Sequence, residues 1–320
     1  MERGEMSSDK PRVTVAVPVY NGDKYVSEAV DSILAQTFQD FEIIICDNAS
    51  TDRTEEICRG YAARDPRVTY YRNEVNRGIH RNFTRAVRLS RGEYFIWLSH
   101  DDKLAPAFLE RCVAALDGDP SVVLAYPKAI DIDEHGNHIA YKEQTLNVSS
   151  AKPHERFREL IRMEHNCEAS LGLIRGDVLR RTEVLGNYAD ADRVLLAELA
   201  LHGYYFRVPE FLFLHREHPF RETNVYPTRF ERTASLNPEK PVRIVFPHFR
   251  QFGEYLLRIR RAPLSWRDRI RCCWEMFRWV GRYWKRLVAD VKVVISYILR
   301  RIIRVRLSGR APAATSGRSA

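Results

Sequence analysis

With 320 residues, 45% of them hydrophobic and 29% charged, the chain has the composition of a folded globular protein with a sizeable core, which excludes a disordered or fibrous one. Six cysteines with no CxxC pair and no regular spacing exclude a zinc ribbon or a disulfide framework. The polar start MERGEMSSDK lacks the apolar stretch of a secretory signal, so free thiols in a reducing cytosol are expected. The net charge of +9 is unevenly spread: residues 258–310 hold 16 Lys/Arg against 3 Asp/Glu, and residues 1–257 hold 34 against 39, which describes a mildly acidic body with a basic C-terminal segment.

After a flexible N-terminus at 1–10, the run 13–19 (VTVAVPV) predicts a strand buried on both faces. Turn chemistry at Tyr20-Asn21-Gly22-Asp23 ends it, and apolar residues at three and four predict a helix over 24–36. A second buried strand is expected at 41–46, followed by Asp47-Asn48-Ala49-Ser50-Thr51-Asp52 and a helix to about Ala63. A short strand at 68–71, a helix at 81–89 and a strand at 93–98 follow, the last stopped by Ser99-His100-Asp101-Asp102. Strands alternating with helices imply parallel pairing and right-handed crossovers, and ligands in such sheets bind outside the carboxyl ends of the strands. The polar clusters NGD, DNASTD and SHDD all fall there. Further along, a helix from Pro106 to Leu116, a strand at 122–126, loops and short strands over 127–155 and a helix at 155–164 are expected. A semi-apolar run spans 169–174, a helix 192–202 ends at Gly203, and strands over 204–214 break at Pro209. Four prolines between 220 and 247 suggest a linker or extended wrap over 221–265, and the small polar residues from 308 to 320 suggest disorder.

Adjacent carboxylates at a strand end repel one another, so Asp101 and Asp102 point either to a divalent cation or to a cap on the helix near Pro106. Asp47 could accept hydrogen bonds from a ribose or base, or form an Asx turn; Asp52 reads as the Asx turn and helix cap.

Four segments, in order and at matching spacing, resemble the family-2 glycosyltransferases of the GT-A fold: VTVAVPVYNGDKYVSEAVDSILAQTFQDFEIIICDNASTD, NEVNRGIHRNFTRAV, GEYFIWLSHDD, and the pair GNYADADRVLLAELALHG and FLFLHREHP. The resemblance covers roughly residues 11–220. It implies an αβα sandwich with a Rossmann-like, mixed and mostly parallel sheet, and an inverting, metal-dependent transferase of the hexosyltransferase type. The donor would be a UDP-, GDP- or dTDP-sugar, the cofactor Mn²⁺ or Mg²⁺, and the acceptor a glycan or lipid-linked glycan in cell-surface polysaccharide, glycolipid or glycan biosynthesis. By the same match, Pro18, Val19 and Tyr20 line the base, Asp47 contacts base or ribose, and Asn76, Gly78 and Asn82 lie beside the donor. Asp101 matches the second aspartate of the family's DxD metal motif and Asp102 the acidic residue after it. Ser99 stands where the first aspartate usually lies, and His100 takes the x position. Asp192, with Asp190 in reserve, matches the catalytic base and also the cap of the following helix; His218 matches a residue near the diphosphate. The departure at Ser99 keeps a second class open, a non-catalytic nucleotide-sugar-binding scaffold. The glycine-rich basic signature of a nucleotidyltransferase is missing after the first strand.

Over 266–307 two helical stripes are expected, Ile270, Cys273, Phe277, Val280, Trp284 and Leu287, then Val291, Val294, Ile295, Ile298, Ile302 and Val305, with arginines, lysines and tryptophans beside them. The longest nearly apolar run, 287–299, is too short and charged to span a bilayer. The segment therefore suits an anionic membrane surface, and a cytoplasmic protein peripheral to the inner face is the expectation. The alternative is a stripe packed on the catalytic domain or on a second subunit in a homodimer. Nucleic acid is not expected, since the body is acidic and carries no such motif.

Overall fold

The computed structural model describes residues 10–142, 146–162, 165, 167–225, 231–233, 236 and 246–308, the side chains of 168, 222–223 and 296–308 excepted. The chain opens with β1 (Val13–Val19), α1 (Val26–Leu34), β2 (Phe41–Asp47), α2 (Thr54–Arg64), β3 (Val68–Arg72), α3 (Ile79–Leu89) and β4 (Tyr94–Trp97). A short β5 (Lys103–Leu104) precedes α4 (Phe108–Gly118), β6 (Val122–Ile132) and β7 (His138–Lys142). Then come α5 (Pro153–Arg162), a 3₁₀ turn at Glu168–Leu171, β8 (Leu173–Arg175), α6 (Gly176–Arg180), α7 (Ala191–His202) and β9 (Tyr204–Arg216). The chain continues through α8 (Glu222–Val225), α9 (Pro247–Arg261) and α10 (Trp266–Ser308).

The strands form one mixed sheet in the order β3-β2-β1-β4-β8-β6-β9-β5, with β7 paired to β6. β3, β2, β1 and β4 run parallel, as do β6 and β9; β8 is antiparallel to both its neighbours. All seven residues of β1 and of β2 are buried, because helices cover both faces of this part of the sheet. Val13, Val15, Val17, Ile43, Ile45 and Ile96 face one core with α1, α2 and α4. Ala16, Ile44, Cys46, Phe95 and Trp97 face the other, with α3, α5, α7, α9 and α10.

The structure differs from the sequence expectation in three respects. The strand expected to stop at Tyr126 runs on through Pro127 to Ile132, and β9 continues through Pro209 rather than breaking there. The two prolines meet at one irregularity: Pro127 pairs with Val208 and Lys128 with Phe211, leaving Pro209 and Glu210 out of register. A proline without an N–H is tolerated at such a bulge. Second, part of the expected linker is helix: α9 starts at Pro247, whose missing N–H costs nothing in a first helical turn. The other expected linker prolines, 227, 238 and 241, lie outside the described residues, as do 1–9 and 309–320 of the expected flexible ends.

The third difference concerns which face of α10 is buried. Cys272, Met276 and Trp279 enter the core shared with Trp97 and Phe157, while Ile270, Cys273, Phe277 and Trp284 of the expected stripe are exposed. Trp279 stacks on Phe252 of α9 at 5.8 Å between ring centroids, and the Tyr283 hydroxyl donates to the Arg162 carbonyl of α5 at 3.2 Å. α9 is itself fixed to α7. Arg258, 1% exposed, lies 3.4 Å from Glu198 of α7 and also pairs with Glu183 at 3.0 Å and Glu254 at 2.9 Å.

Candidate functional site

The sheet order reverses beside β1: the chain moves from β1 outward to β2 and β3, then crosses back to β4 on the other side. Crevices at such switch points hold ligands in open α/β sheets. Tyr20, which follows β1, is 43% exposed, while Pro18 and Val19 are buried. The loop after β1 is tied to the loop after β2. Asn21 N–H donates to Ser50 Oγ, Thr51 N–H to Asn21 Oδ1, and Gly22 N–H to Thr54 Oγ1. A Cβ on Gly22 would meet His100 Cδ2 at 2.4 Å, so glycine is what lets the His100 ring lie against this loop.

Asp47 is fully buried. Ser50 donates its N–H (2.8 Å) and hydroxyl (2.6 Å) to Oδ1, and the Tyr70 hydroxyl donates to Oδ2 at 2.6 Å. It shapes the loop that follows it. Asp52 makes the expected Asx turn, accepting the Thr54 N–H at 3.0 Å. Beside Asp47 lies an amide network that joins the expected Asn76 and Asn82 to Asn48 and Asn73, which sequence reasoning did not single out. Asn48 donates to Asn76 Oδ1 (2.8 Å) and accepts from Asn73 (2.9 Å) and from the Arg77 N–H (3.0 Å). Asn76 also accepts the N–H of Gly78, which opens α3 at a φ of +86° that favours glycine. Asn82 is buried and donates to the Cys46 carbonyl at 2.6 Å, fastening α3 to the end of β2. Asn73, nine residues earlier, donates to Asn82 Oδ1 at 3.1 Å, and only the fold brings these amides together.

Ser99 to Asp102 form a turn closed by the Asp102 N–H to the Ser99 carbonyl at 3.1 Å. Neither carboxylate caps α4, whose cap residue is Ala107 without a side-chain bond. The two aspartates occupy different environments. Asp102 is 4% exposed and accepts the backbone N–H of Arg216 at 2.9 Å; burial first, and the charge of Asp101 next, push its carboxyl well above the ordinary range. For Asp101, burial also acts upward, but the hydrogen bond from His218 and the charge of His100 outweigh it and hold the carboxyl at about 2. His218 Nε2 donates to Asp101 Oδ2 at 3.0 Å, and its Nδ1 is buried without a hydrogen-bond partner.

Arg216, fully buried, was not anticipated although it sits two residues from His218. It donates to the carbonyls of Asp101, Asp133 and Glu134 and to the carboxylate of Glu28 at 2.8 Å, locking the turn to α1 and to the β6–β7 hairpin. The ionised carboxylate of Asp101 is the oxygen ligand that Mn²⁺ or Mg²⁺ prefers, and the unpartnered Nδ1 of His218 is a further donor beside it. A second group, Asp131, His215 and Glu217, brings its ligand atoms within 4.8 Å of one another, but Lys142 Nζ lies 2.8 Å from Asp131 and 3.7 Å from Glu217, already supplying a positive charge.

The second-half aspartates lie at the start of α7. Asp190, not Asp192, is the cap residue, in the left-handed conformation (φ 63°) and without a side-chain capping bond. Asp192 is in the first turn and accepts the Arg193 N–H at 2.8 Å, so the capping role expected for it is not its own. Three further groups surround it. His80 of α3 donates Nδ1–H to the Gly186 carbonyl at 2.7 Å; burial lowers its pKa against that hydrogen bond and the pull of Asp192 and Asp190. Burial also brings His165 down to about 4 and raises the Cys167 thiol, on which the charge of Asp192 acts the same way.

The profile of the family described as glycosyl transferase family 2 matches residues 14–181. Among curated proteins, the chain is 39% identical over 130 residues to a chondroitin synthase of Escherichia coli, covering 41% of this chain and 19% of that protein. It is 37% identical over 136 residues to an uncharacterized glycosyltransferase of Methanocaldococcus jannaschii, covering 42% and 46%. The chain thus spans less than half the length of these relatives. Among solved structures, TarS of S. aureus superposes with a TM-score of 0.61 at 16% identity, over 85% of this chain and 72% of that one; it has also been solved with UDP and with UDP-GlcNAc. A mannosyltransferase of Pyrobaculum calidifontis, in complex with GDP-Man and Mn²⁺, superposes with a TM-score of 0.51 at 17% identity, over 93% and 84%. These distant likenesses establish a shared fold.

Proposed function

Because this chain belongs to glycosyl transferase family 2, we propose that it transfers a sugar from a UDP-, GDP- or dTDP-linked donor to the hydroxyl of a glycan or lipid-linked acceptor, with inversion at the anomeric carbon. Its setting would be the biosynthesis of a cell-surface polysaccharide, glycolipid or glycan. The observation that carries this reading is the Asp101–His218 pair at the carboxyl end of β4, beside the point where the strand order reverses. The nucleotide complexes of TarS and of the mannosyltransferase support a donor of this class, and the Mn²⁺ of the latter supports a metal.

In this mechanism Asp101 and His218 would hold a divalent cation, which would supply positive charge to the diphosphate leaving group. Asp102 keeps the turn in shape through Arg216 rather than acting as a ligand of equal standing. Tyr20, with Pro18 and Val19 behind it, and the Asn48–Asn76 network border the donor; Asp47, Gly78 and Asn82 fix the loops that carry them. Ser99 and His100 line the same turn. Asp192 accepts the proton of the acceptor hydroxyl as that oxygen bonds to the anomeric carbon and the bond to the diphosphate oxygen breaks. Asp190 shapes the helix start on which Asp192 stands. The catalytic unit extends beyond residues 11–220 to include α9 and the first turns of α10.

The test is a panel of nucleotide sugars, read by thermal shift and by release of the nucleoside diphosphate, with and without Mn²⁺. One donor class should raise Tm and be turned over only with the metal. If no donor shifts Tm in either condition, the reading fails. Ser99, standing where the family carries an aspartate, favours a second reading, a nucleotide-sugar-binding scaffold; binding with no diphosphate release in Mn²⁺ would select it.

A further inference from the structure

The helix α10 carries two apolar faces, and the fold uses one. At about 100° per residue, Cys272, Met276 and Trp279 lie on one arc with the buried Asp290, and that arc faces α5 and α9. Trp266, Ile270, Trp274, Phe277, Trp284 and Val288 lie on the opposite arc, between 42% and 68% exposed, and Val291 and Ile295 extend it. Trp274 and Phe277 stack on each other at 5.5 Å, both more than half exposed. Between the two arcs runs a strip of Arg267, Arg271, Arg278, Arg282, Lys285 and Lys292, all exposed.

We infer that this outer face docks on an anionic lipid surface. Large indole and phenyl rings flanked by guanidinium and ammonium groups match the boundary between acyl chains and acidic headgroups. A second copy of the chain matches poorly. Between 266 and 295 there are eight Lys/Arg and three Asp/Glu. Glu275 and Asp290 are buried, 3.7 Å from Arg158 and 2.7 Å from His248 respectively, and Asp268 is held by Ser265 and Arg271. Two such helices side by side would set arginine strips next to exposed apolar stripes with no carboxylates to receive them. No helix among the described residues is long and apolar enough to cross a membrane, so α10 lies along the surface. The cores of α10 and α7 are continuous, so docking would hold the catalytic unit directly rather than through a loose tether.

The test is flotation of the full chain with vesicles of phosphatidylcholine, with and without phosphatidylglycerol, at low and high salt. It needs no donor, acceptor or turnover, so its outcome is independent of the proposed activity. The full chain should float with phosphatidylglycerol vesicles at low salt, at least about tenfold more than with phosphatidylcholine alone, and less at high salt. The double variant Trp274→Glu/Phe277→Glu should lose flotation while melting as the wild type does, because both side chains are exposed. A second variant, Arg271→Gln/Arg278→Gln/Arg282→Gln, should lose the preference for phosphatidylglycerol. Equal partition onto both vesicles, or unchanged flotation of the first variant, overturns the inference. So does a wild type that ignores vesicles but sediments as a dimer that Trp274→Glu/Phe277→Glu dissociates; the outer face would then belong to a second copy.

Discussion

The crevice at the ends of β1, β2 and β4 is held by short polar bonds among loops, strand ends and α3, whereas α10 rests chiefly on an apolar stripe against α5 and α9, with polar ties from Tyr283 to Arg162 and from Asp290 to His248. In the crevice, Asp47, Asn48, Asn82 and Arg216 are each fastened by several directed hydrogen bonds, and replacing one donor disturbs a neighbourhood of a few residues. Along α10, Trp274 and Trp279 sit five residues apart on the same helix, one 58% exposed and the other 5%. The same residue type is surface in one case and core in the other, so the meaning of an apolar residue there depends on rotation about the helix axis alone.

The largest expected effect lies at the start of α7. Asp192→Asn should lower kcat by about 10²–10⁴ while donor KM stays within about twofold, since an amide cannot take the acceptor proton. If Asp190→Asn shows that pattern and Asp192→Asn does not, the base is two residues earlier, on the cap itself. Next, Asp101→Ala should lower turnover by about 10²–10³ and abolish the dependence of donor binding on Mn²⁺, and a chelator should do the same to the wild type. Retained metal dependence of donor affinity in Asp101→Ala, measured by calorimetry, would move the cation elsewhere.

The two tryptophans of α10 give the sharpest contrast between the regions. Trp279→Ala should cost about 3–5 kcal/mol in denaturant unfolding, because it leaves a cavity against Phe252 and Tyr255. Trp274→Ala should stay within about 0.5 kcal/mol. Equal costs would mean that both faces are packed. The same logic applies to a chain cut after Pro263: losing Cys272, Met276 and Trp279 uncovers the core, so the fragment should aggregate.

The smallest effect is a pH dependence where α9 meets α7. Burial pushes the Glu198 carboxyl up to about 7 against the opposing charge of Arg258. The fold therefore favours the protonated form. The stability this group contributes is complete below its ordinary 4.5 and is lost as pH rises through about 7. Glu198→Gln stays neutral throughout, so its Tm should gain on the wild type between about pH 5 and 8. A constant difference across that range would show that Arg258 keeps Glu198 ionised.

The sequence by itself determined the alternation of strands and helices from β1 to β4 and the site of the polar clusters. An unbroken apolar run followed by turn residues leaves little freedom: the strand must be buried, and its end must be a loop. It also marked Asp101, Asp192 and His218 through segments that resemble the family, and the Asx turn at Asp52 through local chemistry. Only the tertiary structure decided what needs two distant segments. Asp102 is distinguished from Asp101 by Arg216, more than a hundred residues away in sequence; the prolines of β6 and β9 are absorbed because they meet at one bulge; and His80 of α3 reaches the neighbourhood of Asp192 of α7 on a shared face of the sheet. For α10 the periodicity was present in the sequence, but two apolar arcs satisfy it equally. Which one enters the core is set by the shape that α5 and α9 offer to Cys272, Met276 and Trp279, a complementarity that exists only once those helices are in place.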